Sequence, residues 1–346
     1  MHRLEIAGVG KAGTYPKIGL FHRRDNTTKH VGLLLVGDGD TKDMCDLTEL
    51  AGVRQLKDVL HQDNPVRFLK GIFSANSQGR LKDNAHYELN YYLDPPIDSE
   101  SRQEVWGAGV TYESSNAGRN EELAVKQVQQ QGPTLYDKVR VARRPELFPK
   151  APAWRVVGTE DPLLLPREED LDINEEVWVI PEPEVAFWIG PDGKVKALTI
   201  ANDATHRGRE GDNALNLPQA KIEDGLCALG DLLQLGPYSD DEVRELDIEM
   251  KVMRKSSEVF GGTTSLGKME KHRRIFTRQD SDNPTLPEWL LKKRRFPDGV
   301  VLMTGTGIVP PADPANRFTL QENDVVNISI PKAGLALENP VEIIQG

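Results

Sequence analysis

Residues 179–203 read VIPEPEVAFWIGPDGKVKALTIAND, with two strand-like apolar runs on either side of the pair Asp192-Gly193. An Asp-Gly pair between such runs is a strong signal for a β-hairpin. A two-residue turn at this pair would place Glu182 directly opposite Asp203, with their Cβ atoms about 5 Å apart. Glu184 lies two residues from Glu182 and therefore points to the same face. The hairpin thus predicts a patch of three carboxylates at its open end.

The two faces of this hairpin differ in character. The face away from the carboxylates predicts a core of five apolar residues: Val185, Phe187, Ile189, Leu198 and Ile200. On the other face, three converging carboxylates repel one another unless a hard divalent cation such as Mg²⁺ or Mn²⁺ binds them or one carboxyl has a raised pKa. The alternative interpretation is a solvated acidic rim, with Pro181 and Pro183 marking an edge strand.

The composition limits the class of protein. The chain has 346 residues, which corresponds to about two domains, and a formal charge of −11. That acidity argues against a nucleic-acid partner, which favours a basic face, and against docking on an anionic membrane. The sequence contains no run of 18 apolar residues and no apolar region of a secretory signal near its start. With only two cysteines, it predicts a cytoplasmic protein without a thiolate zinc site.

The chain divides into two regions at a proline-rich linker, residues 94–99. We predict a smaller N-terminal α/β domain over residues 1–98 and a β-rich catalytic domain over residues 99–346, giving an α+β fold that is mainly β. Predicted strands and helices of the second region follow from apolar alternation and helix signals. The strands are 105–112, 177–180, 185–189, 195–200, 248–255, 299–303 and 325–330, and the helices are 113–131, 239–243 and 287–295.

Other candidate site residues lie outside the hairpin. Lys221 ends the run Leu217-Pro218-Gln219-Ala220-Lys221; near a divalent cation and away from water its pKa would fall, and it could act as a base. Gly305 and Thr306 follow a strand, where exposed backbone N–H groups and hydroxyls suit a carboxylate or phosphate; the alternative is an ordinary tight turn. Gly107 could bring the backbone close to a ligand, or could mark a crowded strand crossing. His206, three residues after Asp203, either faces the site or is exposed.

Two phosphate-binding patterns are interpreted as coincidences. Residues 8–13 match G-x-G-x-x-G, but Thr14-Tyr15-Pro16 follows where the dinucleotide-binding fold needs a helix. Residues 262–268 match a phosphate loop up to its lysine, but Met269 replaces the Ser or Thr that would hold Mg²⁺. We interpret residues 261–268 instead as a Gly-rich strand-to-helix loop near the metal site. The histidines form no zinc-binding spacing.

With these residues considered together, the second region resembles the fumarylacetoacetate hydrolase superfamily, and within it the 2-dehydro-3-deoxy-D-pentonate (arabinonate-type) dehydratases. Several blocks carry the resemblance in one order along the chain. They are residues 106–113 (WGAGVTYE), 144–148 (RPELF) with Lys150, 181–184 (PEPE), Asn202-Asp203 with Arg207, 217–221 (LPQAK) and 304–310 (TGTGIVP). The first 95 residues or so match only loosely.

The resemblance implies a mixed β-sandwich roll that forms homodimers or homotetramers. It implies Mg²⁺ held by the residues matching Glu182, Glu184 and Asp203, with Mn²⁺ as an alternative. It makes Lys221 a site residue close to the metal, and it places Glu146, Lys150 and Thr306 in the pocket. Residues 159–176 look like an insertion beside that pocket.

The resemblance also implies a function, with two alternatives. The expected reaction is Mg²⁺-dependent dehydration of a 2-keto-3-deoxy sugar acid, similar to 2-dehydro-3-deoxy-D-arabinonate, to 2,5-dioxopentanoate. Lys221 would be the base and Glu146 the acid, and Thr306 with nearby backbone N–H groups would hold the substrate carboxylate. The first alternative is hydrolysis of a C–C bond in a diketo acid; the His–Glu pair that hydrolase members use has no match here. The second alternative is a metal-binding module without activity.

Overall fold

The computed structural model describes residues 15–24, 26–36, 42–77, 87–88, 91–125, 132–172, 175–313 and 315–344. The predicted G-x-G-x-x-G pattern at residues 8–13 lies outside them. The fold is α+β with mostly strands, as the sequence predicts. Within the described residues, no helix has both the length and the apolar character that crossing a membrane requires.

The strands are β1 (Lys17–Arg23), β2 (Asn26–Val36), β3 (Lys42–Asp46), β4 (Tyr87–Glu88), β5 (Tyr91–Asp94), β6 (Glu104–Gly109), β7 (Glu146–Pro152), β8 (Leu163–Leu165), β9 (Val179–Ile180), β10 (Pro183–Ile189), β11 (Val195–Asp203), β12 (Thr205–His206), β13 (Cys227–Leu229), β14 (Leu232–Leu235), β15 (Asp247–Arg254), β16 (Ser257–Ser265), β17 (Val300–Met303), β18 (Val325–Ile330) and β19 (Leu335–Ile343). The α-helices are α1 (Leu47–Ala51), α2 (Leu56–Leu60), α3 (Pro65–Ser77), α4 (Glu113–Val125), α5 (Leu135–Val141), α6 (Arg207–Asp212), α7 (Leu217–Lys221), α8 (Asp240–Arg244) and α9 (Leu286–Leu291).

A large mixed sheet runs through both predicted regions. Ten of its strands follow the order β4-β3-β2-β1-β14-β11-β10-β17-β6-β7, and β5 and β13 pair with β1 and β11. The N-terminal strand β1 joins the rest through β14, where Ile18 pairs with Leu233. One apolar core contains side chains from α1–α3 and from β10, β11 and β17. The two regions therefore share one sheet and one core, and the boundary at residues 98 and 99 stays a prediction.

A second sheet covers the other face of the central strands. Its order is β16-β15-β18-β19-β8. The apolar side chains predicted for one face of the hairpin, among them Phe187 and Ile200, pack in the same core as Ile248 of β15 and Ile328 of β18. Strand β18 alternates buried and half-buried residues, as its sequence predicts. Because both faces of β10 and β11 are covered, the hairpin lies at the centre of the molecule.

The predicted register of this hairpin is confirmed, although its turn differs. Pairs from Pro183–Asn202 to Trp188–Ala197 follow the predicted register. The turn, however, has three residues rather than two, because the N–H of Gly190 donates to the carbonyl of Lys194 at 2.9 Å and Gly193 takes a positive φ of 78°. One extra residue on β11, next to the pair Ile189–Val195, offsets the longer turn.

Other local predictions need correction. The phosphate-loop pattern at residues 262–268 is not a strand-to-helix loop: Gly262 pairs with Met250 inside β16, and a single 3₁₀ turn follows. The segment 159–176 contributes β8, whose Leu163 pairs with Val341 in the second sheet; that this segment is an insertion stays a prediction. In the proline-rich stretch, Asp94 ends β5 and residues 95–99 are irregular chain before β6.

Candidate active site

The open end of the β10–β11 hairpin forms the floor of a pocket. Strands β6 and β7, helices α4 to α7 and the loop after β17 form its walls. About 760 Å³ of space, part of it continuous with solvent, lies between them. The lining residues are Ala108, Gly109, Val110, Ser115, Arg119, Leu135, Tyr136, Val139, Glu146, Phe148, Glu182, Glu184, Asp203, Arg207, Glu210, Leu217, Lys221, Gly305, Thr306 and Val309.

The three predicted carboxylates meet on this floor. Glu182, Glu184 and Asp203 each offer an oxygen within 4.8 Å of the others. Their exposed fractions are 6%, 2% and 1%, so the interpretation as a solvated acidic rim is wrong. Burial raises the pKa of Glu182 and of Glu184, and repulsion from Asp203 adds to both shifts. Carboxylate oxygens packed this closely out of water are the ligands that a hard divalent cation prefers.

Lys221 reaches into the same cluster from the end of α7. Its Nζ donates to Glu182 Oε2, Asp203 Oδ2 and Thr205 Oγ1, each at 2.7 Å. Burial opposes its charge, but the carboxylates of Asp203 and Glu182 outweigh burial and raise the pKa of Lys221. The lowered pKa that the sequence argument expects would therefore need a cation that draws these carboxylates away from the ammonium.

Lys150 lies behind Asp203 rather than in the pocket. Its Nζ is 2.7 Å from Asp203 Oδ1 and donates to the carbonyl oxygen of Ala204 at 2.6 Å. The side chain is buried and is not among the described residues that line the pocket. From this position, the ammonium can orient Asp203 and offset its charge.

Glu146 faces the pocket from the first residue of β7, opposite Gly109 of β6. A Cβ at position 109 would collide with the Glu146 carboxylate, so glycine there gives this side chain its space. Burial, followed by the charge of Glu210, raises the pKa of Glu146. A raised pKa favours the protonated carboxyl, which is the form that a general acid requires.

Gly107, two residues before Gly109 in β6, has a similar packing role. A Cβ there would collide with the ring of Phe148, and Gly107 itself is not among the described lining residues. The Phe148 ring lies under Lys221, with Nζ 5.2 Å from the ring centre. The close contact between Gly107 and Phe148 fits the alternative prediction, in which Gly107 marks a crowded strand crossing.

The loop after β17 contributes both of its predicted residues to the pocket lining. Gly305 takes a positive φ of 88°, and its N–H donates to Glu184 Oε2 at 2.6 Å. This N–H therefore orients Glu184. Thr306 is buried beside it, with its hydroxyl 3.2 Å from the N–H of Ile308.

A network of buried ion pairs lies above the floor of the pocket and was not predicted from the sequence. Arg119 of α4 binds Glu210 of α6 with both terminal nitrogens, and Arg207 of α6 binds Glu122 of α4 and Glu210. Both guanidinium groups also lie within 3.7 Å of Glu182. The only sequence signal was an Arg-x-x-Glu spacing in each helix, which is equally typical of exposed helix faces.

The charges around the pocket are not balanced by the protein alone. Its lining contains five carboxyl groups and three basic groups, and Lys150 adds a fourth basic group from behind Asp203. The carboxyl groups are Glu146, Glu182, Glu184, Asp203 and Glu210, and the basic groups of the lining are Arg119, Arg207 and Lys221. A divalent cation at the carboxylate cluster would offset the excess of acidic groups and bind through the oxygen ligands it prefers, so the residues present fit the metal that the sequence predicts.

His206 is fully buried, so the expectation that it is exposed is wrong. Its Nδ1 accepts from the N–H of Arg209 at 3.3 Å and so caps α6. Burial, assisted by the charge of Arg209, lowers the pKa of His206 to about 4. The imidazole is therefore neutral at physiological pH and is not among the described residues that line the pocket.

Comparison with known proteins gives the family. The chain is 34% identical over 253 residues to 2-dehydro-3-deoxy-D-arabinonate dehydratase from Saccharolobus solfataricus, covering 72% of this chain and 73% of that protein. It is 30% identical over 343 residues to a probable 2-keto-3-deoxyxylonate dehydratase from Haloferax volcanii, covering 99% of both. No family model matches the chain.

Solved structures agree with this relationship. The structure of 2-keto-3-deoxy-D-arabinonate dehydratase complexed with magnesium and 2,5-dioxopentanoate matches 95% of this chain and all of its own, with a TM-score of 0.64 and 25% identity. Fumarylacetoacetate hydrolase from Exiguobacterium antarcticum shares the fold, with a TM-score of 0.58 and 18% identity, over 95% of this chain and all of its own.

The chain belongs to the 2-keto-3-deoxy sugar acid dehydratases, which are hydro-lyases. It has the fold of fumarylacetoacetate hydrolase. The predicted family and enzyme class are thereby confirmed.

The carboxylate cluster makes a direct prediction for magnesium. Mg²⁺ at ten times its Kd should raise the free energy of unfolding by about 1.4 kcal/mol, since it binds only the folded state. Glu184→Gln keeps the side-chain shape but removes one charge, and should weaken Mg²⁺ binding at least about tenfold. Calorimetric titration and denaturation with Mg²⁺ measure both effects.

A matched control uses a second group that could hold a metal, formed by His30, Asp46 and Glu49. There Asp46 already caps α1 and pairs with His30. Glu49→Gln should therefore leave Mg²⁺ binding unchanged. Wild-type Mg²⁺ affinity in the Glu184 variant would contradict the metal site.

The buried histidine predicts acid sensitivity. The pKa of His206 is lower in the folded protein than the usual value of about 6.5, so the unfolded chain binds a proton more readily. Its contribution to stability is lost as the pH falls from about 6.5 towards about 4. His206→Asn keeps a helix-capping side chain and should flatten the pH dependence of the free energy of unfolding in this interval. The exposed-histidine variant His61→Gln should retain the wild-type slope; a retained slope in His206→Asn would contradict this assignment.

Proposed function

We propose that this chain dehydrates a five-carbon 2-keto-3-deoxy acid of the D-arabinonate type to 2,5-dioxopentanoate, with Mg²⁺ held by Glu182, Glu184 and Asp203. The observation that carries the proposal is the buried carboxylate cluster with Lys221 in contact with two of its members. The relatives named for this class of acid support the substrate, and the related structure with magnesium and 2,5-dioxopentanoate supports the cation and the product.

The two substrate names of the relatives converge on one compound in the D series. D-Arabinonate and D-xylonate differ only in configuration at C2 and C3. A 2-keto-3-deoxy acid has no stereocentre at either carbon, so both sugar acids lead to the same molecule, whose single stereocentre is C4. The choice between the two names therefore does not require two different pockets.

The substrate orientation follows from the position of the charged groups. A bound Mg²⁺ would act as a Lewis acid on the 2-keto oxygen and stabilise the negative charge that develops when C3 is deprotonated. The keto acid end is thus directed to the floor of the pocket. Thr306, which lines the pocket beside the carboxylate cluster, would bind the substrate carboxylate, while the N–H of Gly305 continues to hold Glu184.

Two residues would move the protons. Lys221 removes a proton from C3, and the C4 hydroxyl leaves with a proton from Glu146, so that water departs and a C3–C4 double bond forms. Transfer of a proton from C5 to C3 then shifts the double bond to C4–C5. The resulting enol carries the original C5 hydroxyl, and its tautomerisation gives the C5 aldehyde. A carboxyl with a raised pKa at Glu146 is suited to the acid role.

The remaining residues would position these groups. Lys150 orients Asp203 from behind, and the glycines at 107 and 109 make room for Phe148 and Glu146. Arg119 and Arg207 lie close to Glu182, and the charge of Arg119 opposes the rise in the pKa of Glu182. We also retain the proposals of a homodimer or homotetramer and of a cytoplasmic location.

Turnover tests the function directly. 2-Keto-3-deoxy-D-arabinonate should be converted to 2,5-dioxopentanoate in the presence of Mg²⁺, and removal of the metal by a chelator should stop the reaction reversibly. An NADP⁺-dependent aldehyde dehydrogenase coupled to the product gives the readout. Absence of product in protein shown to bind Mg²⁺ would contradict the proposal, and a diketo acid would then test the hydrolase alternative.

The base is tested by Lys221→Met. Loss of a general base should lower kcat by about 10²–10⁴-fold. Mg²⁺ should bind at least as tightly as in the wild type, because an ammonium group that competes for the carboxylates is gone. The matched control is Lys194→Met, whose side chain is 66% exposed at the hairpin turn; it should keep wild-type turnover. Near-wild-type kcat in the Lys221 variant would contradict the role of Lys221 as the base.

A further inference from the structure

Helix α5 is held in place without an apolar core of its own. None of its residues is buried. Its N-terminus is fixed by a capping box, in which the side chains of Thr134 and Asp137 bond each other's backbone N–H groups. Asn116 and Asn120 of α4 each donate an Nδ2 hydrogen bond of 2.9 Å to Asp137. These bonds tie α5 to α4.

The other end of α5 is fixed from the opposite side. Arg273, which is buried, donates from its guanidinium group to the carbonyl oxygens of Val139, Ala142 and Arg143 at 2.9–3.2 Å. Carbonyls at the end of a helix otherwise lack partners. With both ends held by hydrogen bonds, the helix keeps a fixed position against the pocket although it contributes no residue to the core.

What α5 adds to the pocket is one polar group between two apolar ones. Leu135, Tyr136 and Val139 line the pocket, and only the tyrosine brings a hydrogen-bonding side chain. Arg119 lies over its ring, with Cζ 5.7 Å from the centre. The phenol makes no hydrogen bond to any other residue that the structure describes, so its hydroxyl can serve a ligand.

Contacts of Arg119 and of strand β7 place Tyr136 relative to the floor of the pocket. The Arg119 guanidinium group lies 3.7 Å from Glu182 on the floor and also lies over the Tyr136 ring. Lys221 lies over the ring of Phe148, and Glu146 lies two residues from Phe148 on the same face of β7. These contacts are consistent with the order carboxylate cluster with Lys221, Glu146, Tyr136 along the pocket.

This order matches the order of the substrate carbons. The keto acid end, C1 and C2, goes to the carboxylate cluster, the C3 proton to Lys221 and the C4 hydroxyl to Glu146. The next carbon, C5, carries the last hydroxyl and would lie beside Tyr136. We propose that the hydroxyl of Tyr136 hydrogen-bonds the C5 hydroxyl and makes this residue specificity-determining for a hydroxylated five-carbon acid. The inference rests on the proposed function.

A hydrogen bond from Tyr136 to the C5 hydroxyl would influence the reaction as well as the binding of the substrate. In the proposed reaction, the C5 hydroxyl becomes the hydroxyl of the enol and finally the aldehyde oxygen of the product. A phenol hydrogen-bonded to that oxygen would hold C5 in one orientation while a proton is transferred from C5 to C3. Leu135 and Val139, the other lining residues of α5, have no side-chain hydrogen-bonding group that could compete with the phenol.

Two inert ligands test the contact without turnover. 5-Hydroxy-2-oxopentanoate keeps the keto acid and the C5 hydroxyl but has no C4 hydroxyl to lose, and 2-oxopentanoate lacks both hydroxyls. In calorimetric titrations with Mg²⁺, the wild type should bind the 5-hydroxy acid about five- to tenfold more tightly, the value of one neutral hydrogen bond. Tyr136→Phe should reduce this ratio to near one and leave the affinity for 2-oxopentanoate unchanged.

The outcomes separate this inference from the function on which it rests. Unchanged binding of 2-oxopentanoate shows that the site of the variant is intact, and Tyr92→Phe, a change at an exposed tyrosine of β5, should retain the wild-type ratio. A hydroxyl preference that persists in Tyr136→Phe, or is absent in the wild type, would overturn the role of Tyr136 alone. Failure of both acids to bind the wild type with Mg²⁺ would overturn the proposed function together with this role.

Discussion

Repulsion among three buried carboxylates is the constraint on which this molecule is built. Out of water, such groups cannot all stay ionised without compensation, and the surrounding elements each supply part of it. Lys221 contributes an ammonium from the end of a short helix, Lys150 contributes another from strand β7, and Gly305 contributes a backbone N–H. The two arginines of α4 and α6 close the network from above. The excess of carboxylates is what makes this cluster a candidate site for a divalent cation.

The central hairpin could be predicted because its constraints are local. A strand period of two residues and an Asp-Gly turn suffice to bring Glu182 opposite Asp203. The turn nevertheless holds three residues, and an extra residue on β11 restores the register. The extra residue in the turn and the extra residue on β11 offset each other, so the predicted pairing is kept. Without this, a slip of one residue would move the carboxylates to the apolar face. The register was thus set by the two faces of the strands more firmly than by the turn.

Features that depend on distant parts of the chain could not be predicted in the same way. The ion pairs between α4 and α6 join segments that are about 90 residues apart, and their Arg-x-x-Glu spacing is common on solvated helices. Nothing local distinguishes Lys150, which lies behind Asp203, from a lysine in the pocket. The Gly-rich pattern at residues 262–268 became a strand because it could pair with β15. In each case the partner, rather than the local pattern, decided the structure.

The pairing of β1 with β14 has a consequence for how the protein is made. Ile18 and Leu233 are neighbours in the sheet but emerge from the ribosome roughly 10–40 seconds apart at ordinary rates of synthesis. Throughout that time, residues Lys17–Gly19 of β1 lack their partners in β14, while β5 can already pair with the rest of the strand. Other chains can join an unpaired edge of this kind. The sheet that carries the candidate active site can therefore be completed only late in translation, after β14 has been synthesised.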